Sequence, residues 1–234
     1  MKKEEQIKSF GTMDADEALQ LFMNSGALEW AKNQTLGYTR LMAYYRCAMM
    51  EIETKFNVLN EEFSLRHDRN PISSIKTRLK APLSIKNKLE RKNQPFTLAS
   101  IEENVNDIAG IRVVCSFLDD VYMLADALLA QDDIVLISRK DYIASPKESG
   151  YRSLHLIVSV PIFLASEKRF MKVEIQLRTI AEDFWASLEH QLHYKKDRIF
   201  TPEMAEELKL CAEMSSELDR RMDRLRSAVQ NENL

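Results

Sequence analysis

Lys172-Val-Glu-Ile-Gln-Leu-Arg-Thr179 alternates without interruption: Lys172, Glu174, Gln176 and Arg178 fall on one face of an extended segment, and Val173, Ile175 and Leu177 on the other. The apolar face is that of a strand laid on a core. The other face is poor core material and suits a site for a metal-bound, negatively charged substrate. Upstream, Ser145-Pro-Lys-Glu-Ser-Gly-Tyr-Arg-Ser-Leu-His155 is a loop punctuated by Pro146 and Gly150 that carries two cations, an aromatic ring and a histidine.

Working outward, the pattern predicts strands over 153–161 and 169–179, with Glu167-Lys168 near the turn between them. A mostly apolar strand covers Ile108–Phe117, a helix 121–131, a strand 133–142 and a loop 143–152. Ser74-Ile-Lys-Thr-Arg-Leu-Lys80 is a short alternating strand. Pro82 suits the first turn of a helix running to about Lys92, followed by a loop over 93–100 and a brief helix over 100–106. Leu41, Tyr45, Ala48, Ile52, Phe56, Leu59 and Phe63 make one stripe of a long helix over Leu36–Arg66, closed by the turn His67–Pro71. An amphipathic helix is expected across Asp14–Lys32, another over 180–193, and Thr201-Pro202 opens a last helix to about residue 230. The fold class is α/β (α+β), a mixed five-stranded sheet with flanking helices. Residues 1–35 and 197–234 are expected to be helical arms around a domain of 36–196.

Composition narrows the function. Hydrophobic residues at 45% and charged ones at 29% describe an ordinary soluble globular protein, and a net charge of −3 excludes a globally basic nucleic-acid binder while leaving room for a local basic groove. No apolar run approaches membrane-spanning length, and the Lys- and Glu-rich N-terminus has no signal-like apolar segment; a cytoplasmic protein is expected. Cys47, Cys115 and Cys211 are far apart and read as reduced core thiols. The five glycines, at 11, 26, 37, 110 and 150, cannot assemble a Walker A loop or a Rossmann fingerprint, so side chains must bind any phosphate.

Between 76 and 92, Lys76, Arg78, Lys80, Lys86, Lys88, Arg91 and Lys92 stand against a lone Glu90. Such a run is often a solvated face, but alternation stacks Lys76, Arg78 and Lys80 about 7 Å apart, a pitch that suits a polyphosphate. Asp107 stands at the mouth of an apolar strand, where a cap or turn role is the ordinary one. Glu174 sits mid-strand between Lys172 and Arg178, with a salt bridge as its alternative use. Two carboxylates from neighbouring strands are what one Mg²⁺ requires when phosphates supply its other ligands. In an unbroken strand Asp107 and Arg112 would face opposite sides, so either Asp107 precedes the strand proper or Gly110 marks a bulge. Tyr151 is expected in a polar loop, exposed, with base stacking and loop packing equally open to it. His155 falls on the face of Ser153 and Ser159, expected to be polar. His190 and His193 with Glu189 lack a third clear ligand and read as structural.

At these residues the chain resembles the synthetase domain of the RelA/SpoT homologues, which make the alarmones ppGpp and pppGpp. The resemblance runs through about 45–196, with the motifs in the family's order. Arg78-x-Lys80-x-x-x-Ser84-x-x-x-Lys88 is similar to its ATP-binding segment, and Asp107-Ile-Ala-Gly-Ile-Arg112 to its magnesium-aspartate strand. Lys140-Asp-Tyr142 and Lys147–His155 are similar to the guanine-nucleotide loop, and Glu174-Ile-Gln-Leu-Arg-Thr179 to the strand with the catalytic glutamate. The resemblance implies a nucleotidyltransferase-like fold. It implies that Arg78 and Arg112 sandwich adenine, and that Lys80, Ser84 and Lys88 hold the ATP phosphates. Asp107 and Glu174 would bind Mg²⁺, with Glu174 also the base. Tyr151 would stack on guanine, Lys147 and His155 contact the acceptor phosphates, and Lys140 belong to the same loop. Gln176, Asp183 and Glu189 would complete the acceptor (GDP or GTP) pocket. Asp183 departs from the family, whose small members can carry an amide there, and Ser138 stands where bifunctional members have an arginine.

The hydrolase half of the family needs a histidine upstream of a His-Asp pair; His67-Asp68 is the sole such pair and none precedes it. The match is to the small stand-alone synthetases, and the expected function is transfer of pyrophosphate from ATP to the 3′-hydroxyl of GDP or GTP. Alternatives are adenine-nucleotide acceptors, the 3′ end of tRNA, or a silent nucleotide- or RNA-binding module. Met204, Leu208, Cys211, Leu218, Met222, Leu225 and Val229 trace a heptad seam broken by Ser215, which packs on the domain or self-associates. The small family members form homotetramers through helical arms, and the resemblance implies the same here.

Overall fold

The computed structural model describes residues 27–67, 69–194 and 201–232. Most of the helix expected over Asp14–Lys32, and Asp68, lie outside the described residues. The chain divides into two compact units, Met1–Ala43 and Tyr44–Leu234. The expected division at residue 35 falls inside one continuous helix, α1 (Ala27–His67), which Gly37 does not interrupt.

The second unit is built on a five-stranded mixed sheet of β1 (Ile72–Leu79), β2 (Ala109–Cys115), β3 (Val135–Asp141), β4 (Leu154–Phe163) and β5 (Lys168–Thr179). Their spatial order is β1-β2-β5-β4-β3, parallel between β2 and β5 and antiparallel elsewhere. Helices α2 (Pro82–Arg91), α3 (Leu98–Asn104), α4 (Leu118–Leu129), α5 (Ile180–Tyr194) and α6 (Pro202–Glu232) surround it.

Local chemistry sets the boundaries. Pro82 opens α2 where its missing N–H costs nothing, and Thr97 caps α3 by accepting the Ser100 N–H at 3.2 Å. At the end of β5, Thr179 and Glu182 form a capping box: Thr179 Oγ1 accepts from the Glu182 N–H at 3.1 Å, and Glu182 Oε2 from the Thr179 N–H at 2.9 Å. This fixes where α5 starts and therefore which way its first turn faces.

The core is the buried face of the sheet, with Val173, Ile175 and Leu177 of β5, Leu154, Leu156 and Val158 of β4, and Ile111 and Val113 of β2. Tyr45, Ile52 and Phe56 of α1 and Val121, Leu124 and Leu128 of α4 are buried with them, each worth about 1.5–3 kcal/mol on burial. Of the cysteines only Cys115 is a core thiol; Cys47 is half-buried and Cys211, on α6, is exposed.

The C-terminal helix is not an arm standing clear of the domain. It docks along α5 through small and polar groups: Ala212 against Trp185 and Ala186, Trp185 Nε1 donating to the Leu208 carbonyl at 2.8 Å, Ser215 Oγ to Ala181 O at 2.8 Å, and Thr179 Oγ1 to Asp219 at 2.6 Å. Met204, Leu218, Met222 and Leu225 of the heptad seam remain exposed. Ser215, the residue that breaks that seam, is one of the anchors.

Candidate active site

The polar face of β5 lies at the centre of the sheet, and register turns it into a grid. Lys76, Arg112, Gln176, His155 and Lys140 stand in one line across all five strands. One step along, Arg78, Gly110, Glu174, Ile157 and Ser138 form the next. Gly110 leaves an opening between Arg78 and Glu174, and the cleft there has a volume of about 400 Å³. Its walls are Lys76, Arg78, Lys80, Asp107, Arg112, Glu174 and Gln176, with Thr77, Gly110 and Ile111 completing it.

The parity conflict between Asp107 and Arg112 is resolved by the first of the two routes. β2 begins at Ala109, so Asp107 precedes the strand, and the pairing of β2 with both neighbours runs through Gly110 without a bulge. Lys80 leaves β1 beside it, its N–H bonded to the Ile108 carbonyl at 2.8 Å.

The two carboxylates live in different settings. Asp107 Oδ2 receives Lys80 and Lys88 Nζ, each at 2.9 Å, while Oδ1 is buried with no hydrogen-bond partner. Burial opposes its charge, but the hydrogen bonds from Lys88 and Lys80 prevail and hold it below the usual carboxylate range. Glu174 is pushed up by burial and then by the charge of Asp107, against one hydrogen bond from Gln176 Nε2 at 3.1 Å. No cluster of three or more His, Cys, Asp or Glu suits a metal among the described residues. An orphaned Asp107 oxygen facing an under-compensated Glu174 fits instead a hard divalent cation that takes its remaining ligands from phosphate and water.

Lys88 and Ser84 lie on α2, whose first turn carries no acidic residue and no capping side chain. Ser84 does not line the cleft; it sits at the helix N-terminus, where backbone N–H groups favour an anion.

On the far side of Gln176, Tyr151 is not an exposed ring. It is half-buried against the Trp185–Ala212 cluster because Gly150, at φ +88°, brings the loop hard against α6, where a Cβ would come within 2.6 Å of that of Ala212. Arg178 donates to the Tyr151 hydroxyl at 2.9 Å, and the hydroxyl meets His155 Nε2 at 2.8 Å. Burial, then Arg178, Lys147 and Lys140, hold His155 at about 4, so it is a neutral imidazole; where the Tyr151 hydroxyl donates to Nε2, Nδ1 carries the ring proton and is free to donate. Lys147 Nζ lies 4.7 Å from the ring centres of both Tyr142 and Tyr151. Ser153, expected on the polar face, is buried and donates to the Leu177 carbonyl at 3.0 Å.

Asp183, in the first turn of α5, accepts from Lys76 at 3.3 Å, Arg112 at 3.1 Å and Arg178 at 3.4 Å. Arg178 is 2% exposed and also donates to Gln176 Oε1 at 2.8 Å. The structure therefore brings together Arg78, Lys80, Lys88, Asp107, Arg112, Glu174, Gln176 and Asp183. A contiguous second group holds Lys140, Lys147, Tyr151 and His155. Glu189 does not line the cleft: it lies six residues beyond Asp183, about 9 Å further along α5. Arg178 received no role of its own from the sequence, although the alternation that exposed Glu174 put it on the same face, and Lys76 was read only as one of three stacked cations, not as a partner of Asp183.

Residues 77–199 match the model of a region found in RelA/SpoT proteins. The chain is 43% identical over 178 residues to the GTP pyrophosphokinase YwaC of Bacillus subtilis, covering 76% of this chain and 85% of that protein. Among solved structures it resembles the small alarmone synthetase 1 of Bacillus subtilis bound to its product pppGpp, with TM-score 0.75, 37% identity, and coverage of 82% of this chain and 98% of that one. The same synthetase bound to AMPCPP matches with TM-score 0.70, 34% identity, and coverage of 83% and 98%. With a matched region that spans β2 to β5 and includes both carboxylates, this chain belongs to the RelA/SpoT family.

Proposed function

We propose that this protein is a GTP pyrophosphokinase that transfers the β,γ-pyrophosphate of ATP to the ribose 3′-hydroxyl of GDP or GTP, giving ppGpp or pppGpp. The observation that carries the reading is the grid on the sheet: two carboxylates at the meeting point of a cationic half-site on β1, β2 and α2 and an aromatic, cationic half-site on β3, β4 and the loop before it. It is supported by relatives and solved neighbours that are named as such enzymes.

The donor nucleotide belongs between Arg78 and Arg112. They sit on a diagonal of the antiparallel β1–β2 ladder, which separates side chains by about 7–8 Å, room for one flat base between two guanidinium planes. Lys80, Lys88 and Ser84 then face its phosphates. The acceptor base belongs on the Tyr151 ring, braced from behind by Trp185 and Ala212, with Lys147, Lys140 and the His155 Nδ1–H towards its phosphates. Gln176 stands between the half-sites, in line with both Arg112 and His155.

Attack of the 3′-hydroxyl on the β-phosphorus forms one P–O bond and breaks the bond to the α,β-bridging oxygen, which leaves on AMP. Glu174, whose basicity burial and the charge of Asp107 raise, takes the hydroxyl proton. Lys80 and Lys88 neutralise charge that builds on the transferred group; on nucleotide binding they exchange part of their hold on Asp107 for phosphate. Asp107 and Glu174 would hold Mg²⁺, whose chemistry there is to offset phosphate charge and align the transferred group.

The exposed apolar trough between α5 and α6, with Phe117, Ile180, Phe184, Met214, Leu218 and Met222 on its walls, supports assembly into a homotetramer. No helix among the described residues is long and apolar enough to cross a membrane, and a site for free nucleotides fits a cytoplasmic location. The test is to incubate the purified protein with labelled ATP, Mg²⁺ and GMP, GDP, GTP, ADP or tRNA in turn. Labelled ppGpp or pppGpp is expected; transfer to tRNA alone, or no transfer, refutes the reading.

A further inference from the structure

A carboxylate at position 183 has a consequence for the donor half-site. Asp183 is 9% exposed and draws cations from three strands: Lys76 of β1, Arg112 of β2 and Arg178 of β5. The capping box of Thr179 and Glu182 fixes the first turn of α5, so Asp183 is held in place by a rigid element. A guanidinium can offer a ligand either its N–H edge, which suits phosphate, or its flat face, which suits a base. Arg112 spends part of its edge on Asp183 through its terminal nitrogen at 3.1 Å, and Lys76 beside it in register is drawn to the same carboxylate.

We propose that Asp183 is a positioning residue for donor selection: by occupying the edge of Arg112 and the charge of Lys76, it leaves the face of Arg112 to the nucleotide. The site then reads a base, not merely a chain of phosphates. This inference rests on the proposal that the donor base lies against Arg112. An amide at 183 would remove one negative charge and accept fewer of these donors. Arg112 and Lys76 would turn their edges to phosphate, and base-less polyphosphate would gain what the nucleotide loses.

The experiment compares the binding of a non-hydrolysable ATP analogue with that of inorganic tripolyphosphate by calorimetry at two salt concentrations. In Asp183→Asn the ratio of the two affinities is expected to fall about tenfold, the worth of one lost stacking contact, with tripolyphosphate binding tighter and becoming more salt-sensitive. General loosening of the fold would weaken both ligands together and so count against the proposal. Asp183→Glu restores the charge and should bring the ratio back towards the wild type. If Asp183→Asn does not fold, because Arg178 is left buried without its carboxylate, the double variant Asp183→Asn/Arg178→Met removes that orphan while still freeing Arg112. Arg112→Lys separates the two levels of inference. A wild-type ratio in Arg112→Lys means that the base lies elsewhere and the donor-site reading falls. A lowered ratio there with an unchanged one in the Asp183 variants overturns the role of Asp183 alone.

Discussion

Glutamine in place of Glu174 changes one atom and one charge at the middle of the cleft. The side chain is strained by its charge, through burial first and then by facing Asp107, and its hydrogen bond from Gln176 Nε2 can pass to the glutamine carbonyl oxygen. Loss of that charge should leave the melting temperature within about 2 °C of the wild type, or raise it. Binding of an ATP analogue should stay within about threefold, because Arg78, Arg112, Lys80 and Lys88 are untouched. Turnover should fall by about 10³-fold or more, the contribution of a positioned base, since glutamine cannot take the hydroxyl proton. Asp107→Asn is the contrast. It strips the shared anion from Lys80 and Lys88, two charge-assisted hydrogen bonds at 2.9 Å, and should cost about 3 kcal/mol of stability as well as activity. Steady-state transfer of radiolabelled pyrophosphate to GDP, paired with thermal melts of both variants, reads these quantities. Glu174→Gln turning over within tenfold of the wild type would falsify the assignment of the base, and an Asp107→Asn variant as stable as the wild type would refute the lysine bridge.

Glu182 is pushed up to about 7 by burial, against the hydrogen bond from the Thr179 backbone. Between its ordinary value of 4.5 and about 7 the folded chain binds more protons than the unfolded one, so stability should fall as pH rises through that window, by about 3 kcal/mol at most, and level off above it. Urea titrations of Glu182→Gln should lack this slope; an identical slope in the variant refutes the assignment. His155, held at about 4, should show no titration by NMR between about pH 5 and 8, and a midpoint near the usual histidine value would mean that its buried, cationic setting is misjudged. Leu218→Glu or Met222→Glu places charge in the trough between α5 and α6 and should reduce a tetramer to smaller species by light scattering. A wild-type protein that is already monomeric at micromolar concentration would remove the proposed assembly.

The sheet was legible because a period of two is a strong signal: the five strands lie where alternation placed them, with ends shifted by up to about two residues. Glu174 was legible for the same reason, but Asp107 was not placed by alternation, since it precedes β2, and Gly110, read as a possible bulge, lies in unbroken pairing. Arg178 was not legible, since charge on a strand reads as exposed until Asp183 of α5 and the Tyr151 hydroxyl are seen to meet it, and those contacts come from other elements. Tyr151 was misjudged on the same account. Its loop is polar in sequence, yet Gly150 lets the backbone approach Ala212, sixty-odd residues away, and the ring is packed from behind. For the last helix the apolar stripe was correctly located, but apart from Leu208 it is not the docking face. Ala212, Ser215 and Asp219 dock it, and small or polar anchors leave no periodic trace. The division expected at residue 35 missed because an exposed Leu36 and a tolerated Gly37 resemble a break, although helical hydrogen bonds run through both.

The sheet order has a bearing on how the enzyme comes into being. β5 is the last strand in the chain but lies between β2 and β4, and its pairing with β2 is the one parallel junction in the sheet. During synthesis β1 can pair with β2, and β3 with β4, as separate hairpin-like pieces, each carrying part of one half-site. Neither piece holds Glu174, and nothing brings Arg112 into line with His155 until β5 slots in. A chain in which β5 has not paired therefore lacks the assembled grid of site residues. If the chain makes the proposed product from two nucleotides, its competence is coupled to the pairing of β5, which joins the two half-sites.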